Sequence, residues 1–224
     1  MSRSMKQIRQ EMEEYGKIHF GMKLIPKEES TISKILAFIV RPFCPDFQTR
    51  YVTTLNTTIL GPKSWLENDE AVVRTLAHEY VHVYDWGNFK VLFPILYLFP
   101  QILALGAFGA LGAIWGPIEC LHFLWCLLFL APLPAPFRAY FEFRGYAMSM
   151  AMQYWIRGKL DRKNPPQYIV QNFVGPSYFF MWPFKKHCDS RLREWADLIE
   201  TGEFSRRIPI AADIEKIVKG TESP

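Results

Sequence analysis

Ala77-His78-Glu79-Tyr80-Val81-His82 is the stretch on which the reading of this chain turns. It is an H-E-x-x-H pattern in a setting that predicts one continuous helix. Residues four apart share a helix face, so the imidazoles of His78 and His82 can converge on one Zn²⁺ while Glu79 reaches a water on that ion. With only 5 histidines in 224 residues, the spacing is not a by-product of histidine abundance. The competing reading of the same residues is a helix with two half-buried histidines and a surface glutamate.

Working outward, Asn68 or Asp69 can cap the helix, which is expected from about Glu70 to Trp86. Its apolar residues, among them Val72, Val73, Leu76, Tyr80 and Val81, spread over more than one face, as in a helix crossing the middle of a small domain. Upstream, Tyr51 to Leu60 is rich in β-branched residues and ends at Gly61-Pro62, so at least one strand is expected there. Such a strand is either part of the core or an exposed edge able to bind an extended peptide by main-chain hydrogen bonds.

A catalytic zinc site generally takes three protein ligands and leaves a position for water. The extended pattern with a glycine three residues and a histidine six residues beyond the second histidine is not met, because Asp85 and Asn88 stand there. Asp85, about one turn past His82, is better placed to support that histidine than to bind metal. Glu119 lies far along an apolar stretch. Glu142 is the stronger candidate, on a helix expected to start beyond Pro136 and to return the carboxylate to the level of the histidines.

That apolar stretch separates the two halves of the site. Between Lys90 and Arg138 lie 47 residues whose only ionisable acidic or basic members are Glu119 and His122. At about 1.5 Å per residue they supply roughly 70 Å of α-helix, enough for two crossings of a hydrocarbon core about 30 Å thick. Gly112, Gly116 and Pro117 mark the turn, so spans of about 91–111 and 118–133 are expected. The turn carries no Lys or Arg, whereas Lys90, Arg138 and Arg144 flank the outer ends, which places both ends, the site and both termini on the cytoplasmic side. The alternative is a pair of buried helices in a soluble domain.

The rest of the chain bounds the function classes. An apolar share of 50% with 16% aromatics excludes disorder. Cys44, Cys120, Cys126 and Cys188 have no metal-type spacing, which argues against a disulfide framework and fits a reducing compartment. A net charge of +4, small and scattered, argues against a nucleic-acid surface and is compatible with anionic lipid headgroups. The N-terminus has no apolar h-region, so no signal peptide is expected. Residues 4 to 16 read as an amphipathic helix that Gly16 can end. Ile32 to Phe43, closed by Pro42, is too short to span a bilayer and reads as a core helix or one lying in the membrane interface.

Taken together, the Leu-Ala-His-Glu-Tyr-Val-His segment, the apolar insertion and the later glutamate resemble the membrane zinc peptidases of the HtpX and CAAX-prenyl-protease type, which are gluzincins. The resemblance covers roughly residues 51 to 200. It implies an α+β, mainly helical fold: a single zincin-like peptidase domain over 1–224, with short strands before the active-site helix and a transmembrane hairpin inserted at 91–133. The family commonly has alanine and aspartate at the third and fourth places after its glutamate ligand; here those places hold Gly145 and Tyr146. Met181 to Arg193 is similar to the family's late segment, in which a histidine followed by proline precedes an arginine. This implies an oxyanion-stabilising role for His187, with Cys188 in place of the proline and either Arg193 or Arg191 as the arginine.

The resulting expectation is one Zn²⁺ held by His78, His82 and Glu142, with Glu79 as general base and acid. His187 or Tyr146 would donate to the oxyanion, on a polypeptide substrate that includes membrane proteins. Two rivals stand beside it. One is a membrane-anchored zinc protein that binds a partner and cleaves nothing; the other is a membrane hairpin protein without metal.

Overall fold

A computed structural model describes residues 3–41, 44–114, 116–160, 166–178 and 180–221; Pro42 and Phe43, the expected end of the second helix, lie outside them. The fold is mainly helical α+β. Helix α1 (Met5–Phe20) opens with a capping box, Ser4 and Gln7 each accepting from the other's backbone, and ends at Gly21 in the left-handed conformation, φ 62°. Gly16 does not end the helix. It sits mid-helix, where an added Cβ would lie 2.6 Å from the Tyr80 hydroxyl, so its missing side chain lets α1 press onto the central helix. The Tyr80 hydroxyl donates to the Met12 carbonyl across that contact.

Strand β1 (Lys23–Pro26) is followed by helix α2 (Thr31–Val40) and the short α3 (Phe47–Arg50). The expected strand segment is a hairpin of β2 (Thr53–Leu55) and β3 (Thr58–Gly61), turned at Asn56, whose φ is 56°, a conformation asparagine tolerates. The sheet order is β1-β3-β2, with β1 parallel and β2 antiparallel to β3, which leaves β2 at an edge.

After α4 (Lys63–Leu66) comes the central helix α5 (Asp69–Phe89), capped by the Asn68 side chain on the Ala71 N–H at 3.0 Å. It packs along α7 (Pro136–Arg157), which starts with proline in its first turn and stops at Gly158. Around this pair close α8 (Gln167–Val174), α9 (Lys185–Glu200), α10 (Phe204–Arg207) and α11 (Ala211–Lys219). Leu76, Ala77, Ala147, Met148, Ala151, Phe173, Leu192 and Ile214 are fully buried in the shared core.

Between α5 and α7 the apolar insertion differs from the expected pair of α-helical spans. Its first part is helix α6 (Leu92–Leu98), which meets a 3₁₀ helix, Gln101–Ile114, at a 93° bend. A second 3₁₀ helix, Ile118–Leu130, returns antiparallel to the first. Among the described residues no single helix is long and apolar enough to cross a membrane.

The 3₁₀ form has a cause in the sequence. Leu105-Gly106-Ala107, Phe108-Gly109-Ala110 and Leu111-Gly112-Ala113 repeat every three residues, the period of a 3₁₀ helix, so the glycines align on one face. Cys126, Phe123 and Cys120, also three apart, face them in antiparallel register. A Cβ at Gly106, Gly109 or Gly112 would lie 2.7, 2.6 or 3.1 Å from those side chains. The large residues of the repeat, Leu105, Phe108 and Leu111, point outward and are exposed.

Candidate metal centre

Helix α5 delivers His78 and His82 from successive turns of one face, and α7 delivers Glu142 opposite them. All three side chains are buried, with Glu142 only 2% exposed, and one ligand atom from each lies within 4.8 Å of the others. Nε2 of His78 is 3.0 Å from Nε2 of His82. Glu142 Oε2 is 3.4 Å from the first, and Oε1 is 3.5 Å from the second. Burial alone would raise the Glu142 carboxyl, but the adjacent His78 and His82 rings hold it well below the usual carboxylate range. Desolvation would lower His82, but Glu142 with Glu79 and Asp85 together raise it.

This set could hold a metal ion. Two imidazole nitrogens and a carboxylate oxygen are a catalytic zinc donor set with a position to spare. Buried Glu142 Oε2 has no hydrogen-bond partner, the condition expected of an atom built to face a cation.

Glu79, one residue past His78, turns towards the sheet. Its Oε2 accepts from the Thr54 hydroxyl of β2 at 2.6 Å, which ties the carboxylate to the edge strand. Glu79 and His78 line a cleft of about 380 Å³ with Arg50, Arg74, Tyr146 and Tyr178. Tyr146 places its ring 4.8 Å from that of His78. Its hydroxyl oxygen accepts from the Asn172 amide at 2.7 Å and lies beside Tyr178, and the hydroxyl carries one hydrogen to donate. Burial pushes its ionisation well above the ordinary tyrosine range, which keeps that hydrogen in place.

The remaining sequence candidates are distributed otherwise. Asp85, 1% exposed, is paired at 2.5 Å with Arg144 of α7, an ion pair between the two site helices. His187 is exposed at the start of α9, its Nδ1 accepting from the Trp182 indole at 2.8 Å. Arg193 is on the exposed face of the same helix, and Arg191 pairs with Glu194 at 2.6 Å. Glu119 is exposed at the tip of the insertion. Among the described residues the structure therefore brings His78, Glu79, His82, Glu142 and Tyr146 together, and holds His187 and Arg193 on α9.

Three residues of the site were not foreseen. Thr54 holds Glu79, Arg144 neutralises Asp85, and the Tyr97 hydroxyl of α6 donates to Glu142 Oε1. Only Arg144 had a visible signal, a cation two residues past the glutamate.

Gly145 acquires a reason at this site. A Cβ there would lie 2.7 Å from the His78 ring, so α7 approaches α5 closely enough for ligation only if position 145 is bare. Gly145→Ala is expected to displace His78 and weaken zinc binding by at least tenfold while the helical content holds. A chelator-competition titration checks it, and unchanged affinity would show that the close approach is dispensable.

Comparison with protein-family models, with curated proteins and with solved structures finds no match, so the family to which the chain belongs is argued from its residues alone.

Proposed function

We propose that this chain is a zinc-dependent, membrane-associated endopeptidase of gluzincin type with a zincin-like core. The observation that carries the reading is the convergence of His78, His82 and Glu142 with Glu79 alongside, at the wall of an open cleft. A bound Zn²⁺ would supply Lewis-acid polarisation of a scissile carbonyl and a water whose pKa falls towards about 7. Glu79, oriented by Thr54, accepts the proton of the attacking water and returns it to the leaving amine. Tyr146, at the cleft wall beside His78, donates to the developing oxyanion. The open edge of β2 lies beside Glu79 and suits an extended polypeptide that adds as a further strand.

Membrane association is supported by the unpaired apolar surface. Leu105, Phe108, Leu111, Leu124, Trp125 and Leu128 of the hairpin are exposed large apolar side chains, the kind of surface that marks a membrane or partner contact. The 14 residues of the first 3₁₀ helix, at about 2.0 Å each, extend roughly 28 Å, close to the thickness of a hydrocarbon core. Helix α2 adds the exposed Ile32, Ile35, Phe38 and Ile39, which suits an interfacial helix. Both roots of the hairpin lie together, Gln101 donating to the Leu133 carbonyl at 3.4 Å, so the site and both roots share one side of the bilayer, the cytoplasmic side by the flanking basic residues.

The test is cleavage of an unfolded membrane polypeptide by the purified chain in lipid discs. Cleavage is expected to cease with a zinc chelator and return with added zinc. Bound metal without chelator-sensitive cleavage would instead favour a zinc-binding interaction protein that performs no hydrolysis.

A further inference from the structure

The apolar insertion touches the metal centre directly. Helix α6 projects Phe93 and Tyr97, four residues apart, onto one side of the ligand trio. The Phe93 ring is 6.1 Å and the Tyr97 ring 6.0 Å from the His82 ring, and Phe93 packs at 4.7 Å on Phe141, the neighbour of Glu142. The two oxygens of Glu142 then have different partners. Oε1 accepts the Tyr97 hydroxyl, and Oε2, nearer His78, accepts no hydrogen bond.

The segment that carries Tyr97 is itself fastened to α7. Arg138, one turn before Glu142, donates from Nε to the Tyr97 carbonyl at 3.0 Å and from a terminal nitrogen to Gln101 Oε1 at 3.1 Å. Its guanidinium lies 5.5 Å from the Tyr97 ring centre. One buried cation therefore clasps both sides of the 93° bend between α6 and the hairpin, and holds them against the helix that bears the carboxylate ligand.

We infer that Tyr97 is a positioning residue through which the seating of the apolar insertion sets the affinity of the metal centre. Its hydroxyl fixes Glu142 Oε1 and so presents Oε2 to the cation; Arg138 acts through it by holding α6 in place. A hydrogen bond to one carboxylate oxygen makes it the weaker donor and favours metal binding through the other, whereas a freed carboxylate rotates and can offer both. The inference rests on the zinc-site reading above but requires no peptidase activity. It makes the metal centre dependent on the correct packing of the insertion, so a chain whose hairpin has not found its apolar surroundings holds zinc weakly.

The test is a chelator-competition titration of zinc on the full chain in lipid discs, with the visible spectrum of the cobalt-loaded protein as a second readout. Tyr97→Phe keeps the ring contacts and is expected to weaken zinc by about 10–100-fold, the usual loss for a group that orients a ligand, and to alter the cobalt d–d bands as Glu142 changes its binding mode. Arg138→Gln is expected to weaken zinc by a smaller factor, and the double variant no more than Tyr97→Phe alone. Phe93→Leu, which disturbs packing beside His82 without removing the hydrogen bond to Glu142, should weaken zinc less than Tyr97→Phe.

A Tyr97→Phe affinity within twofold of the parent would overturn the inference. So would a Phe93→Leu loss as large as that of Tyr97→Phe, or fully additive losses in the double variant. A parent chain that binds zinc tightly yet cleaves nothing would defeat the peptidase reading and leave this result legible. A parent that binds no zinc would defeat both.

Discussion

Glu79→Gln is expected to lower peptide turnover by about 10²–10⁴-fold while zinc content stays at one ion per chain. The amide keeps an oxygen to accept the Thr54 hydroxyl, so the strand-to-helix tie and the fold persist. What it loses is the capacity to take a proton from water. Zinc measured by mass spectrometry and turnover measured on the same preparation separate the two effects. Full turnover in this variant would remove Glu79 from the chemistry and with it the proposed mechanism.

Glu142→Ala is the second large effect. It removes the sole buried carboxylate facing the imidazole pair among the described residues, and leaves Nε2 of His78 and His82 with two-point attachment. Zinc affinity is expected to fall by more than about 100-fold, beyond the loss of a group that merely orients a ligand. Turnover should fall in parallel and recover partly at high zinc. Unchanged affinity would place the third ligand elsewhere in the chain.

Much of this site was legible from spacing. His78 and His82 share a face because four residues make about one helical turn, and α5 runs from Asp69 to Phe89, close to the expected limits of 70 and 86. Glu142 was legible because Pro136 fixes where α7 begins, one and a half turns before the carboxylate. The hairpin and its turn were legible in the insertion, but its helix type was not read, although the signal was present. Its length was converted at the α-helical rise, whereas the Leu-Gly-Ala triplets carry a period of three and build a pair of 3₁₀ helices. Gly16 looked like a helix stop and is a contact point, because a glycine does either depending on what approaches it.

Thr54, Tyr97 and Arg138 belong to a different class. Each acts through a partner 25 to 45 residues away in sequence: Thr54 on Glu79 spans 25, Tyr97 on Glu142 spans 45, and the clasp of Arg138 on Tyr97 and Gln101 spans 41 and 37. Local propensity and hydrophobic period say nothing about such pairs. They arise when α6 folds back over α5 and α7 and when the β2 edge meets Glu79, and both depend on tertiary packing. The strand β1 was missed for the same reason, since four residues acquire their strand form by pairing with β3.

The most direct measurement is zinc-edge X-ray absorption on the full chain purified in lipid discs, with the metal content determined on the same sample. One zinc per chain with two imidazole nitrogens and a carboxylate oxygen around it is the result predicted by the convergence of His78, His82 and Glu142. A chain that takes up no metal, or a metal shell without imidazole, would contradict it.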